Sequence, residues 1–185
     1  MSIKKLFILA GIALALSACH DDSYVHAVGS DDGYVHADDQ YPPVLEQFDI
    51  TDSYGIDSEF DDDIELHISP FNNGGEFELR WDVDYPYSYR TRLMINDHNS
   101  PSNALILSSD VCGDGRECGN YSHQYCNYSE FFEIGCGTPE RDTWQGWKDV
   151  SEFVFDVPES AYLVLEVCDT SDNYCDYRSR RVVFE

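Results

Sequence analysis

The chain has 185 residues, of which 36 are Asp or Glu and 11 are Lys or Arg, so its formal net charge at pH 7 is −25. This charge argues against nucleic acid and against anionic membrane surfaces as binding partners. It is compatible with a well-solvated surface, with divalent cations or with a basic partner, and the length suits one domain preceded by a tail.

The N-terminal segment has the organisation of a secretory signal peptide. Lys4 and Lys5 precede an uncharged apolar run from Leu6 to Leu16. This run is too short to span a bilayer, which takes about 20 apolar residues. A buried helix of the mature fold is the alternative, but such a helix would be amphipathic rather than apolar on all sides. A basic start, a short apolar run and small residues before a cleavage point therefore predict a signal peptide over residues 1–18.

The sequence Leu16-Ser17-Ala18-Cys19, placed directly after this run, resembles the lipobox of bacterial lipoproteins. The resemblance covers only the first nineteen or twenty residues. It implies that the chain is cut before Cys19, which then carries lipid on its sulfur and its amine. Several acyl chains together anchor a protein stably in a bilayer. The next residue is His20 rather than Asp, so the resemblance implies a lipid-anchored protein of the bacterial cell envelope, at the outer membrane.

Residues 19–43 form the predicted tether between the lipid and the folded domain. DDSYVHA at 21–27 returns as DDGYVHA at 31–37, and the segment ends at Pro42-Pro43. A ten-residue period is shorter than a solenoid repeat, and dense acids without a sustained apolar period predict a disordered linker. Loose metal binding by His26, His36 and the neighbouring aspartates is the alternative, but a flexible segment does not fix ligand geometry.

The cysteines that remain after Cys19 predict disulfide bonds, because their number is even and the chain is exported. They are Cys112, Cys118, Cys126, Cys136, Cys168 and Cys175. Sequence alone does not select a pairing, but proximity suggests Cys168–Cys175, Cys112–Cys118 and Cys126–Cys136. The first pair is favoured, because two strands of a short hairpin bring their ends within bridging distance. A zinc site is disfavoured, since no C-x-x-C occurs and no histidine lies at finger spacing.

From Val44 onward, alternating apolar and polar residues predict β-strands with one solvated face. The predicted inward rows are Ile64, Leu66 and Ile68; Phe77, Leu79, Trp81 and Val83; Tyr89, Thr91, Leu93 and Ile95; and Phe153, Phe155 and Val157. No long amphipathic helix is apparent. Strands at this spacing predict an all-β antiparallel sandwich over residues 44–185.

The strand pattern resembles immunoglobulin-like and fibronectin type III-like modules. The resemblance rests on Trp81 in the second main strand, on SEFVFDVPESAYLVLEV as a strand, turn and strand, and on a final hairpin. Tyr162 stands where such modules often keep a core or corner tyrosine. A jelly roll or another sandwich topology stays open. Residues 108–148 depart from the pattern, and we interpret them as a disulfide-rich insert whose bridges hold its shape.

The sequence contains no recognisable catalytic motif. Ser122 and His123 are adjacent, but neighbouring strand residues point in opposite directions. No P-loop, dinucleotide fingerprint, H-E-x-x-H or G-x-S-x-G motif occurs. We therefore predict a protein that is not an enzyme, and a hydrolase whose acids come from separate loops is the third hypothesis.

Calcium is the one cofactor that the sequence suggests. Asp169, Asp172 and Asp176 surround the last hairpin, and a second acidic cluster lies between Asp57 and Asp63. Hard cations bind six to eight oxygens, which the loops of a sandwich can supply. Solvated acidic loops are the alternative.

Trp144 and Trp147, in or beside the insert, suggest an aromatic binding surface. Exposed aromatic side chains hold sugars or protein partners through a flat apolar face and a polar tip; the alternative is that both indoles pack the insert onto the sandwich. The leading hypothesis is a non-enzymatic lipoprotein of binding type, whose partner is an envelope protein or a polysaccharide, with a carbohydrate- or calcium-binding sandwich module as the alternative.

Overall fold

The computed structural model describes residues 41–61, 63–113, 122–137 and 146–185. The predicted Cys19, signal peptide and most of the tether lie outside these ranges, as do Cys118 and Trp144. Ten strands, one short α-helix and the 3₁₀ helices Ser58–Phe60 and Asn73–Gly75 occur along the described chain. The strands and the α-helix are β1 Val44–Thr51, β2 Leu66–Ile68, β3 Glu76–Asp84, β4 Tyr89–Asn96, β5 Leu105–Cys112, β6 His123–Tyr128, β7 Glu133–Gly137, β8 Trp147–Asp149, α1 Ser151–Val154, β9 Glu159–Asp169 and β10 Cys175–Phe184.

The strands form two five-stranded sheets, so the predicted all-β sandwich is confirmed. The first sheet has the order β1-β3-β6-β7-β8 and the second has the order β2-β10-β9-β4-β5. Neighbouring strands are antiparallel except for β2, which is parallel to β10. Within the described residues, no helix is long and apolar enough to cross a bilayer.

The strand order agrees with an immunoglobulin-like module in one sheet only. In the second sheet a hairpin of two late strands, β9 and β10, lies beside β4 and β5, as strands F and G lie beside C and C′. In the first sheet the strand next to β3 is β6, and β7 and β8 follow it in sequence order. In an immunoglobulin fold, strand E lies next to strand B and strand D lies beyond it, so the later of the two strands is the nearer one. Here the earlier strand, β6, is the nearer one.

One apolar core lies between the two sheets, and it confirms three of the four predicted inward rows. In the first of them Leu66 and Ile68 are buried, and Ile64 packs against the core. In β3, Phe77, Leu79 and Trp81 are buried, while Val83 is only partly buried. All four predicted residues of β4, from Tyr89 to Ile95, are buried as well. Phe48 and Ile50 of β1 pair with Trp81 and Leu79 across the ladder, which places them on the same inner face.

The segment 151–157 does not form the predicted inward strand. Residues Ser151–Val154 form α1, and Phe155 and Val157 are exposed. Val150 and Val154 are buried and Phe153 packs against the core. Their spacing of three and four residues is that of one helix face. The prediction of a strand was therefore wrong, because this segment also has the apolar spacing of an amphipathic helix.

Residues 108–148 are not a separate insert. β5 extends to Cys112, and β6, β7 and β8 complete the first sheet. Tyr128 and Ile134 lie in the main core together with Cys126 and Cys136. The segment therefore needs no core of its own, because its inward side chains share that of the sandwich.

Two of the suggested disulfides are confirmed. Cys126–Cys136 joins paired positions of β6 and β7, and Cys168–Cys175 joins paired positions of β9 and β10. In both bridges the Cα atoms lie 4.1 Å apart. Cys112 is disulfide-bonded too, and its suggested partner Cys118 lies outside the described residues.

Candidate binding face

The solvent-facing side of the first sheet carries a row of polar and aromatic residues that crosses four strands. Glu76 of β3 pairs with Asn127 of β6, Asn127 pairs with Gly135 of β7, and Gly135 pairs with Trp147 of β8. Side chains in such cross-strand positions lie beside one another on the same face. We call this side of the sheet, from Glu76 to Trp147, the outer face.

A second row runs beside the first. Thr51 of β1 pairs with Glu78 of β3, and Glu78 pairs with Tyr125 of β6. Glu76 and Glu78 share a face because residues two apart on a strand point the same way. The outer face therefore combines two carboxylates with a tyrosine near one end and a tryptophan at the other.

Trp147 lies across a glycine of the neighbouring strand. A Cβ atom added to Gly135 would lie 3.1 Å from Cδ2 and 3.2 Å from Cε3 of the indole. The Trp147 side chain is nevertheless 47% exposed. The prediction that Trp147 belongs to an aromatic surface thus has a structural basis, while Trp144 lies outside the described residues.

A cleft of about 360 Å³ opens beside Glu76 and Glu78. Tyr54, which is half exposed, and Tyr125 line it together with the two carboxylates, and Asn73 adds an amide. The backbone turn of residues 51–55 forms another part of its wall. The cleft therefore offers aromatic rings and hydrogen-bond acceptors in one concave place.

The charge around the cleft is strongly negative. Burial raises the pKa of the Tyr125 hydroxyl, and the nearby carboxylates of Glu78 and Glu76 raise it further. The only cationic side chain of β3 within the described residues is Arg80, and it is bound by Asp57 and by Glu59 at 3.4 Å. An anionic ligand would consequently be repelled from this face.

In the acidic cluster between Asp57 and Asp63, the carboxylates of Asp57 and Asp61 accept hydrogen bonds from other groups of the protein. Burial pushes the pKa of Asp57 up, but the Glu59 N–H and the Arg80 guanidinium outweigh it, so this pKa is lowered. Asp57 also accepts a hydrogen bond from the Thr51 hydroxyl. Asp61 accepts the N–H of Asp63, and Asp62 lies outside the described residues.

The predicted calcium ligands of the last hairpin are not brought together. Asp169 is buried and accepts hydrogen bonds from the Ser171 hydroxyl and from two backbone N–H groups of its own loop. Asp172 is paired with Arg90 and Arg92. Asp176 accepts the N–H of Leu45 at 2.9 Å. The sequence predicts these acids as calcium ligands or as solvated loop residues. In the structure Asp169 stabilises the hairpin loop, Asp176 joins the hairpin to β1, and Asp172 joins it to β4.

One other group of metal-binding residue types occurs in the described ranges. It consists of Glu166, Cys168 and Cys175, whose ligand atoms lie within 4.8 Å of one another. Both sulfurs are held in the disulfide between β9 and β10. They are therefore not thiolate ligands in this state.

The geometry gives Ser122 and His123 no common role. The Ser122 carbonyl accepts the N–H of Trp81, whereas the His123 side chain lies on the outer face, 3.6 Å from Glu78. Glu76 and Glu78 stand side by side on one strand rather than opposite each other across a cleft. The described residues thus assemble no nucleophile–base pair in this region.

Another aromatic pair lies in the loop between β3 and β4, where Tyr85 is partly buried against the core and Tyr87 is exposed. The rings of Tyr85 and Tyr87 meet edge to face, with centroids 5.5 Å apart. Sequence reasoning singled out neither this pair nor the Glu76–Glu78 cleft. The sequence did contain a signal for the cleft. Glu76 and Glu78 alternate with the buried Phe77 and Leu79, so both carboxylates lie on the opposite, outer face of β3.

Next to the cleft, His67 of β2 joins the loop of Tyr54 to Glu185. Its Nδ1 lies 2.7 Å from a carboxylate oxygen of Glu185, and its Nε2 lies 3.1 Å from Glu65. The Tyr54 hydroxyl donates to the other oxygen of Glu185 at 2.9 Å. Burial lowers the pKa of His67, but Glu185 and Glu65 outweigh it, so this pKa is raised.

This arrangement predicts a pH-dependent contribution of His67 to stability. Because the folded-state pKa is raised, the contribution is complete below the unfolded value of about 6.5 and is lost as the pH rises through the folded value. The pKa of Glu185 is lowered, so its carboxylate persists at mildly acidic pH. We expect His67→Gln to cost about 0.5 kcal/mol near pH 5.5 and less near pH 8.5, since the pair is partly exposed.

Urea unfolding at both pH values measures this difference. Tyr54→Phe is the matched control, because it removes a hydrogen bond to the same carboxylate without removing the imidazole. Its cost is expected to be the same at both pH values. An equal cost of His67→Gln at both pH values would refute the assignment.

Comparison of the chain with protein-family models, with curated proteins and with solved structures finds no match. Its function therefore has to be inferred from its own residues and their geometry.

Proposed function

We propose that this chain is a lipid-anchored protein of the bacterial cell envelope, at the outer membrane, that binds a partner and does not catalyse a reaction. Cys19 carries the acyl anchor, residues 20–43 are the tether, and the sandwich is the binding domain. The observation that carries the proposal is the lipobox-like Leu16-Ser17-Ala18-Cys19 placed after a short apolar run.

The disulfides support the exported location. Cys126–Cys136 and Cys168–Cys175 both join paired strands, and such bridges persist in oxidising compartments rather than in the cytosol. The strongly negative charge keeps the domain soluble beside the membrane. These features agree with a domain held outside the cytoplasm.

The outer face supports a binding role rather than catalysis. It presents the half-exposed Trp147, the tyrosine-lined cleft and the carboxylates of Glu76 and Glu78 on one sheet. Exposed aromatic residues on a fixed scaffold are typical of binding surfaces. A polysaccharide is a candidate for the bound partner, and the contact of the Trp147 indole with Gly135 is the observation that favours it.

Replacing Cys19 tests the anchor. In cells, Cys19→Ala is expected to remove incorporation of labelled palmitate and to shift the protein from the membrane pellet to the soluble fraction or to an uncleaved precursor. Ser17→Ala, which keeps a small residue before the cysteine, is the control and is expected to remain lipidated. A Cys19→Ala protein that still incorporates palmitate would contradict the proposal.

A further inference from the structure

We propose that the outer face of the first sheet binds a linear polysaccharide that carries no acidic groups, with the sugar chain lying across the strands from Trp147 to the Tyr54–Tyr125 cleft. The inference deepens the proposed binding function by naming the class of ligand. It does not depend on the lipid at Cys19.

The shape of the face fits an extended, narrow ligand. The row from Trp147 through Gly135 and Asn127 to Glu76 follows the register of four neighbouring strands. Three strand spacings amount to about 14 Å, so the row is long enough for more than one sugar ring. At the Glu76 end it meets the cleft of about 360 Å³. The outer face is thus an elongated surface that is flat near Trp147 and concave near Glu76.

The aromatic residues supply the apolar part of sugar recognition. A pyranose ring exposes C–H groups on its faces, and an indole that is half exposed on a flat support offers a surface of matching size. Trp147 has this support, because Gly135 lets the ring lie close to the neighbouring strand. In the cleft, Tyr54 and Tyr125 add rings that carry hydroxyl groups.

The polar residues supply acceptors for sugar hydroxyl groups. Glu76 and Glu78 are carboxylates, and hydrogen bonds to an ionised acceptor are stronger than neutral ones. The Asn127 amide donates to the Gly74 carbonyl at 2.6 Å, which fixes its orientation in the row. The same carboxylates repel sulfated, phosphorylated or uronate chains, so the face selects against acidic polysaccharides.

A basic peptide fits this face less well than a sugar chain. β3, β6 and β7 are each paired with strands on both sides, so their backbone groups are not available to add an extended peptide as a strand. A peptide lying across these three strands would therefore have to bind without joining the sheet as a further strand. A polysaccharide carries hydroxyl groups on every ring and meets the polar row along its whole length.

Affinity electrophoresis of the full-length protein in detergent tests the proposal. The gels contain hydroxyethyl cellulose as a neutral polymer, chitosan as an amino-bearing polymer, or alginate as an acidic polymer, and decalysine is added as a competing basic peptide. We expect retardation by the neutral or the amino-bearing polymer and none by alginate. Retardation by chitosan alone that is lost in salt would assign ion pairs with Glu76 and Glu78 and would still support the site.

Variants locate the site on the outer face. Trp147→Ala is expected to weaken retention at least about tenfold, as for a residue at the centre of a binding surface. The double variant E76Q/E78Q, which keeps the shape of the cleft, is expected to weaken it about fivefold. Tyr87→Ala and E46Q/E152Q are the matched aromatic and charge controls at exposed positions elsewhere, and both are expected to bind like the parent protein.

The proposal is overturned if none of the three polymers retards the protein, or if alginate alone does. It is also overturned if both outer-face variants bind like the parent, or if decalysine binds through Glu76 and Glu78 while no polymer does. Cys19→Ala protein is run beside the others and is expected to bind like the parent. Loss of the anchor and loss of polysaccharide binding are thus distinguished.

Discussion

Replacing Gly75 by alanine is expected to destabilise the fold strongly, because the added Cβ has no room. Gly75 has a φ of +80°, and a Cβ atom there would lie 1.9 Å from the carbonyl oxygen of Tyr128. The neighbour is backbone rather than a flexible side chain, so β6 or the turn has to move. A left-handed conformation alone costs a non-glycine residue about 1–2 kcal/mol, and overpacking adds about 1–3 kcal/mol. A loss of about 3 kcal/mol or more is therefore expected.

Gly74→Ala is the matched control for this prediction. Gly74 has a φ of +63°, but no heavy atom lies within 4 Å of its added Cβ. Only the conformational cost of about 1–2 kcal/mol remains. Thermal unfolding followed by circular dichroism compares the two variants, and for a domain of this size the difference corresponds to several degrees. Equal melting temperatures would show that Tyr128 does not fix the Gly75 turn.

The second large effect is expected at Arg180, which joins the two sheets at the edge formed by β1. Its Nε donates to the Phe48 carbonyl at 2.8 Å, and its Nη2 lies 3.0 Å from the carboxylate of Asp49. Asp49 is only 3% exposed. Arg180→Leu leaves this buried carboxylate without its guanidinium partner, and breaking a buried pair in this way costs about 3–5 kcal/mol.

A double-mutant cycle separates the lost pair from lost packing. Asp49→Asn in the Arg180→Leu background is expected to recover part of the stability, because it removes the uncompensated charge. Arg178→Leu is the control, since Arg178 is exposed and donates to the Leu45 carbonyl at 2.7 Å. It is expected to cost about 1 kcal/mol, the contribution of one ordinary hydrogen bond. Urea unfolding of Arg180→Leu, Asp49→Asn, their double variant and Arg178→Leu gives the four values, and equal costs for the two arginines would contradict the role of Asp49.

The same contacts explain how the edge of the first sheet is protected. The outward backbone groups of β1 meet side chains instead of a further strand: Asp176 accepts the Leu45 N–H, and the Ser58 hydroxyl accepts the Ile50 N–H. Pairing an edge with charged side chains prevents it from adding another chain. Asp176, read from the sequence as a calcium ligand, has this structural role instead.

The sandwich could be predicted because its strongest signal is local. Alternation in β3 and β4 fixes which side chains face inward. An even number of cysteines in an exported chain favours disulfide bonds. Cys168 and Cys175 were paired correctly because a short hairpin leaves little choice. These inferences need only neighbouring residues.

The remaining features depend on contacts between distant segments. Phe153, Phe155 and Val157 alternate as in a strand, whereas Val150, Phe153 and Val154 have the spacing of one helix face, and the core that the second set meets decides for the helix. Residues 108–148 looked like an insert because the sequence does not show that β6 pairs with β3. The Glu76–Glu78 cleft depends on that pairing, which brings Tyr125 beside the two carboxylates. The pairing of Asp172 with Arg90 and Arg92 also depends on contacts between distant segments, so the sequence alone does not reveal it.

Intact-mass and peptide mass spectrometry of the native protein from bacterial membranes tests the central claim most directly. The account predicts a mature chain that begins at Cys19, carries acyl lipid on that residue and keeps its six other cysteines oxidised. A chain that retains Met1, a Cys19 without lipid, or six reduced thiols would contradict it.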